Sequence, residues 1–414
     1  MITGKPIIIQ RELSYYSGPY SVTPGASPQV LSTSGKMLTA DIYIGAAASG
    51  GAPDFTKYIE GSLATVYNSE AVKVASSAFY FDYQLVSVAL PACISIGQNG
   101  LAYCMKLSTV DCPECTTIGS GAFLSCPSLT SVSFPKCTSI SSYAFYSCFK
   151  LQSAYFPECT SMGSYAFGYC YSLSTVNMPK LQIISDHAFT ACSALTEAVF
   201  PSCTSIGSNA FAGCSSLSSI SFPLCMTVDT SAFQNCSNLT KADFPSCNSI
   251  GYSAFQSCRG LIEASFPRCT SMLQAVFMSC YALSKISFPV LSVIPGNTFA
   301  SCSGLEEVSF PSCKVISSYA FFSCISLRAA RFDICSNIWS SAFANCVSLE
   351  SLYLLSSSVV KIYNTNILGN TPIAMSELIG RFGSIFVPSE LYEAYISASY
   401  WSYYSERITS YVES

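Results

Sequence analysis

The chain has 414 residues, half of them apolar, yet Asp, Glu, Lys and Arg make up only 10% and the net charge is −4. Ser, Thr, Gly, Pro or Asn interrupts every hydrophobic stretch before the roughly 18–20 apolar residues that a bilayer span requires, which argues against membrane insertion. The charge is too sparse for a basic nucleic-acid face or a polybasic lipid patch, so nucleic acid is not expected as a partner. The chain starts Met1-Ile-Thr-Gly-Lys-Pro-Ile-Ile-Ile-Gln, where a three-residue apolar run shows no secretory signal. Composition leaves one feature unexplained, an odd 23 cysteines.

In chain order, the first segment runs from Tyr20-Ser-Val-Thr-Pro-Gly to Ala40-Asp-Ile-Tyr-Ile-Gly45. It resembles a short β module of tail and minor structural proteins from phages and prophages of Gram-positive gut bacteria. Ala46 to Pro53 is a linker of small residues. Residues 1–53 are therefore expected to form a small β module and linker. Residues 54–77 read as an opening coil, with Leu63-Ala-Thr-Val66 as its strand and Val74 as an inward residue.

From Cys104 the cysteines fall at 115, 126, 137, 148, 159 and 170, a spacing of eleven that is two interleaved columns of period 22. The type unit is Ala122-Phe123-x-x-Cys126-x-x-Leu129-x-x-Val132-x-Phe134-Pro135-x-Cys137-x-x-Ile140. Twelve complete units run from 78 to 341 and another begins at Ala342. A fixed period of 20–30 residues with Leu-x-x-Leu-x-Leu-x-x-Asn/Cys at its heart is the leucine-rich-repeat signature, and Leu129, Val132, Phe134 and Cys137 fit it. Two phenylalanine columns, through Phe123 and through Phe134, account for 21 of the 27 phenylalanines and mark two buried rows.

Each coil predicts a short strand from Leu129 to Phe134 that alternates inward and outward and is ended by Pro135, which has no N–H for the ladder. Ser141, Ser142 and Tyr143 then lead into a single 3₁₀ or short α turn that buries Ala144 and Phe145. A coil cannot bury its own core, so neighbours must stack. The fold class predicted is an α/β leucine-rich-repeat solenoid over 54–355. Its parallel β-sheet should line the concave face, with short helical turns on the convex face.

The recurring Ile-Gly-Ser-x-Ala-Phe-x-x-Cys-x-x-Leu-x-x-Val-x-Phe-Pro string, as at Ile206 to Pro223, resembles the BspA-like branch of the leucine-rich-repeat superfamily. That resemblance implies a surface or secreted protein that binds host proteins or glycans, with no catalytic residues to carry over. Ile385-Phe-Val-Pro-Ser-Glu-Leu-Tyr-Glu-Ala-Tyr and Trp401-Ser-Tyr-Tyr-Ser-Glu-Arg-Ile resemble the terminal cap of the same branch. Residues 356–414 are expected to form that cap, with a helix starting at Ser389 as N-cap, because the last coil would otherwise expose Phe343, Leu349 and Leu352.

The cysteines admit disulfide, zinc, redox and free-thiol readings. Twenty-two of them lie in the two columns, and Cys112 takes a phenylalanine slot, so Cys112-Pro-Glu-Cys115 arises where two columns meet by substitution. Parallel side chains on adjacent coils make poor disulfide geometry. Buried thiols acting as small hydrophobes are the expectation, with no metal and no cofactor. Nucleophilic catalysis would need a base, and the only histidine is His187, in a column with Tyr143, Asn209 and Tyr319 on the turns. Lys241, Glu263, Lys285 and Glu307 form an alternating ionic column along the sheet, which points to register and solubility, not to catalysis.

The strand face is what remains for binding. It is small and polar at first, with Tyr155 an aromatic exception, and gathers Arg328, Arg331, Glu350 and Tyr353 toward its C-terminal end. Arg and Tyr are favoured interface anchors. The sequence thus points to a non-enzymatic recognition or adhesion protein at a cell surface or on a phage-like particle, taking a protein or glycan on its concave face. The alternative is a structural spacer or receptor-binding component of a prophage tail.

Overall fold

A computed structural model describes residues 65–374 and 383–412. The N-terminal β module, the linker and the first two residues of the opening strand lie outside the described residues. The chain divides into two compact units, one ending at Met178 and the other starting at Pro179.

In the first unit each coil crosses three hydrogen-bonded rows. Three-residue strands, such as Ser131–Ser133, Ser153–Tyr155 and Thr175–Asn177, make a parallel long-strand row. Partners are 22 residues apart, Ser131 with Ser153 and Ser153 with Thr175. The central residue, Val132 or Ala154, is buried while the flanking Ser131 and Ser133 face outward. Two-residue strands from Lys73–Val74 to Ser161–Met162 form a second parallel row that the one-sheet expectation did not include. It buries Val74, Ile96, Ile118, Ile140 and Met162.

The third row adds bonds between coils to the expected 3₁₀ turn. Gly121, Phe123 and Ser125 donate their N–H groups to the carbonyls of Ser142, Ala144 and Tyr146 on the next coil at 2.7–3.0 Å. The intervening Ala122 and Leu124 bond back three residues, to Gly119 and Gly121. A helix would turn every N–H inward along its own coil. Here alternate groups bind the neighbouring coil. That alternation needs left-handed residues at two places per coil, Tyr143 at φ 60° and Ser147 at φ 59° being one pair. L-residues there each sacrifice about 1–2 kcal/mol, which the ladder offsets.

The second unit repeats these rows. Lys241–Asp243, Glu263–Ser265 and Lys285–Ser287 lie in register on its long-strand row. A further five-strand run follows, from Glu307–Ser309 through Ala329–Phe332, Ser351–Leu354 and Ser384–Pro388 to Ile408–Tyr411. The closing segment is thus mostly strand and 3₁₀ turn, with one short α-helix, Tyr392–Ser397. Ser389 is the first residue of a 3₁₀ turn capped at Pro388, and the α-helix is capped at Leu391, so Ser389 is not the N-cap expected. Strand pairing of the preceding Ser384–Pro388 fixes the chain before the helix can start. Trp401 Nε1 donates to the Val360 carbonyl at 2.6 Å, and the Tyr395 hydroxyl accepts from the Val360 N–H at 3.1 Å. Phe343, Leu349 and Leu352 are fully buried, as the capping argument requires.

Within each unit the core is a stack of rings and thiols. Phe123 and Phe145 stack with centroids 4.9 Å apart and planes 6° apart, while Phe145 meets Phe156 of the second column edge-on at 5.8 Å. Both are favoured aromatic geometries. Cys126, Cys148 and Cys170 each donate Sγ–H to a carbonyl 25 residues back, on the preceding coil, at 3.1 Å. Cys137 and Cys159 instead donate to a carbonyl two residues ahead at 3.3 Å. The cysteines are buried free thiols with repeated bonding roles, more than the small hydrophobes that their periodicity implied. Burial pushes the ionisation of several of them up, to about 11 at Cys159 and Cys203 and about 12 at Cys170 and Cys258, whereas the bond with Cys112 lowers Cys93 to about 7.

Candidate recognition surface

The long strands set the outward side chains of the second unit by strict alternation. In Ala329–Phe332, Ala330 and Phe332 turn inward, which leaves Arg331 outward. Arg331 lies opposite Tyr353 of the next strand, and Tyr353 lies opposite Phe386. Tyr353 stacks on Phe386 at 4.6 Å with planes 13° apart, and the Tyr411 ring meets Tyr353 edge-on at 5.7 Å. Arg331 Nε donates to Asp333 Oδ1 at 2.9 Å, which orients the guanidinium along the strand. Arg328 and Glu350 are exposed just ahead of adjacent strands, where the Glu350 N–H donates to the Arg328 carbonyl at 2.9 Å.

A shallow hollow of about 560 Å³ opens on this row, lined among others by Ile286, Glu307, Ser309, Arg331, Tyr353 and Tyr411. It holds two of the residues singled out from sequence, Arg331 and Tyr353, and Arg328 and Glu350 flank the same strands. Tyr155, 46% exposed, belongs to the first unit and is not part of the hollow. Sequence reasoning missed Tyr411, Phe386 and Asp333. The β-favouring Ile408, Thr409 and Tyr411 carried a strand signal for the first of these, but no repeat column extends to it.

A guanidinium, a carboxylate and tyrosine rings on a small polar floor can hold a charged or hydroxylated partner and orient it. The hydroxyls lining the hollow are those of Ser309, Tyr353 and Tyr411, and the one histidine, His187, sits at φ 56° on the turn row. Cys112 and Cys115 are buried, and the ionisation of Cys112 is raised by its bond to Cys93 and by desolvation. The Lys241 ammonium lies 3.5 Å from Glu263 and 3.5 Å from Asp243, so the ionic column neutralises itself over these strands. No helix among the described residues is long and apolar enough to cross a membrane.

The chain is similar to a solved leucine-rich repeat protein from Bacteroides ovatus, with 24% identity, a TM-score of 0.67, and 82% of this chain and 88% of that chain covered. This likeness shows the fold. A leucine rich cell surface protein from Faecalibacterium prausnitzii is 26% identical over 77% of this chain and 88% of its own, with a TM-score of 0.42. No curated protein matches the chain. The BspA type leucine rich repeat region matches at residues 72–196, 182–303 and 270–382, which together span most of the sequence. With its 22-residue coils, phenylalanine columns and parallel rows, the chain belongs to the BspA-type leucine-rich-repeat family.

Proposed function

We propose that this chain is a non-enzymatic recognition protein, displayed at a cell surface, that binds a protein or glycan through the long-strand row of its second unit. Proteins of the BspA type are generally adhesion or recognition proteins of surfaces, which gives the class. The observation that carries the site is the hollow at Arg331, Tyr353 and Tyr411, where a row otherwise rich in serine gathers charge and aromatic area. Arg and Tyr concentrate binding energy because each offers a large contact with a polar end.

A protein and glycan array probed with the full chain tests this reading. Ligands found there should lose at least tenfold in affinity when Arg328 and Arg331 are reversed to Glu, and a comparable amount in Tyr353→Ala. A ligand that binds the reversed protein unchanged would move the site off this row.

A further inference from the structure

The short-strand row of the second unit ends in an aromatic feature that the recognition surface does not use. Val315 pairs with Asn337 and Asn337 with Lys361, so Ser317, Trp339 and Tyr363 follow one another in line just beyond the paired strands. Pro295 precedes them, since Ile294 pairs with Ile316. The Ser317 and Trp339 N–H groups donate to Ile294 and Ile316 at 2.9 Å, so the ladder holds through these positions. Tyr363 covers one face of the indole, with centroids 4.5 Å apart and planes 20° apart. Its hydroxyl accepts from Asn337 Nδ2 at 2.8 Å, which fixes the ring. Trp339 nevertheless remains 44% exposed.

The reason lies on its other side. Ser317 is too small to reach across the indole, and the next bulky side chain in line is Pro295, two coils away. Two coil spacings come to roughly 9–10 Å. Ring thickness takes roughly 3.5 Å of that, which leaves room for one non-planar ring and not two. The resulting slot has an aromatic wall, a proline wall and a serine floor. Ser318, Ser340 and Asn337 lie beside these positions in sequence, and none of Pro295, Ser317 and Trp339 carries charge.

We propose that this slot binds one ring of an uncharged saccharide. A pyranose carries its C–H bonds on a face and its hydroxyls around a rim. The C–H face suits the negative face of the indole, and the rim suits a border of hydroxyls and an amide. The site is separate from the Arg331 hollow in both row and chemistry, so loss of binding in Trp339→Ala tests it without touching that hollow.

Affinity electrophoresis of the full chain through gels containing laminarin, galactomannan, xylan or dextran provides the test, with alginate as an acidic control. At least one neutral polysaccharide should retard the protein and change its tryptophan emission. That change reports Trp339, because the other tryptophan, Trp401, is only 1% exposed. Trp339→Ala should reduce the apparent affinity at least tenfold, with unchanged Trp401 emission as the check on folding. Ser317→Leu, which fills the slot and keeps the indole, should do the same. Retardation by none of the neutral polymers, by alginate alone, or equally in Trp339→Ala and Ser317→Leu overturns the proposal.

Discussion

On the turns of the first unit, Tyr143 stacks on Tyr165 at 5.1 Å and Phe149 on Tyr171 at 5.5 Å, with Tyr146 and Tyr169 packed between them. In one coil of the second unit the columns of Tyr143, Tyr146 and Phe149 read Asn209, Ala212 and Ser215, while another of its coils returns to Tyr319, Phe322 and Ile325. Beneath both surfaces the same residues are fully buried, Ala144, Phe145, Cys148 and Leu151 in one and Ala210, Phe211, Cys214 and Leu217 in the other. Tyr143 and Asn209 even share a left-handed backbone, at φ 60° and 55°. The coil therefore fixes backbone and core independently of what its turns display. Variation is free where side chains point outward, and recognition can evolve there without disturbing the fold.

The strongest challenge to a shared core is alkali. A thiol whose folded value is raised keeps its proton to a higher pH than the unfolded thiol does. Between the ordinary thiol value and the folded one, the unfolded state binds fewer protons, so stability falls as pH rises, by about 1.4 kcal/mol per unit for each such group. The window runs from about 9 to the 11 of Cys159 and Cys203 and the 12 of Cys170 and Cys258, which places affected thiols in both units. We expect cooperative unfolding between pH 9 and 11. Both tryptophans lie in the second unit, so emission follows that unit while far-ultraviolet ellipticity follows both. Folded protein at pH 11 would refute the linkage, and separated transitions would show that the cores differ.

Next in size, Phe145→Ala in the first unit and Phe233→Ala in the second should each lose about 3–5 kcal/mol, measured by denaturant unfolding. Both rings are fully buried, and Phe233 stacks at 5.2 Å on Phe211 and 5.1 Å on Phe255. A cost under 1 kcal/mol in one unit alone would break the equivalence. Tyr165→Ala should be milder, about 0.5–1.5 kcal/mol, as expected for a partly exposed aromatic pair. Equal destabilisation in Asn209→Ala would mean that the tyrosine stack adds nothing. Smallest of all, Ser147→Gly and Ser257→Gly should shift stability by no more than about 1 kcal/mol, and in the stabilising direction. Their φ values are 59° and 60°, where glycine has no penalty to escape. A clear loss at either would point to a role for the hydroxyl.

The coil, its period and its buried columns were legible because identical residues recur every 22 positions, and an inward-facing column can be filled only by what fits. Ile140 and Val74 declared themselves in this way. The short-strand row was less visible, because two-residue strands such as Ser139–Ile140 carry too little alternation to signal a ladder. The turns were legible only in part: the 3₁₀ turn at Ala144-Phe145 was expected, while the left-handed Tyr143 and Ser147 that let alternate N–H groups reach the next coil are not residues expected at positive φ. At the proposed recognition surface, Arg331 and Tyr353 could be found inside the repeat frame. Phe386 and Tyr411 could not, since they arrive from strands 33 and 23 residues further along, outside the period.

The constant register has a genetic corollary. Ser205, Thr227, Ser249 and Ser271 succeed one another at intervals of 22 residues, and the thiol of each coil reaches a carbonyl of the one before. Excision or duplication of a 66-nucleotide stretch of the coding sequence would join one coil to its new neighbour with every column intact. A change by one codon more or fewer would turn the inward residues of that coil outward. Coil number is thus a heritable quantity that changes in whole steps, each adding or removing one stacked layer of core.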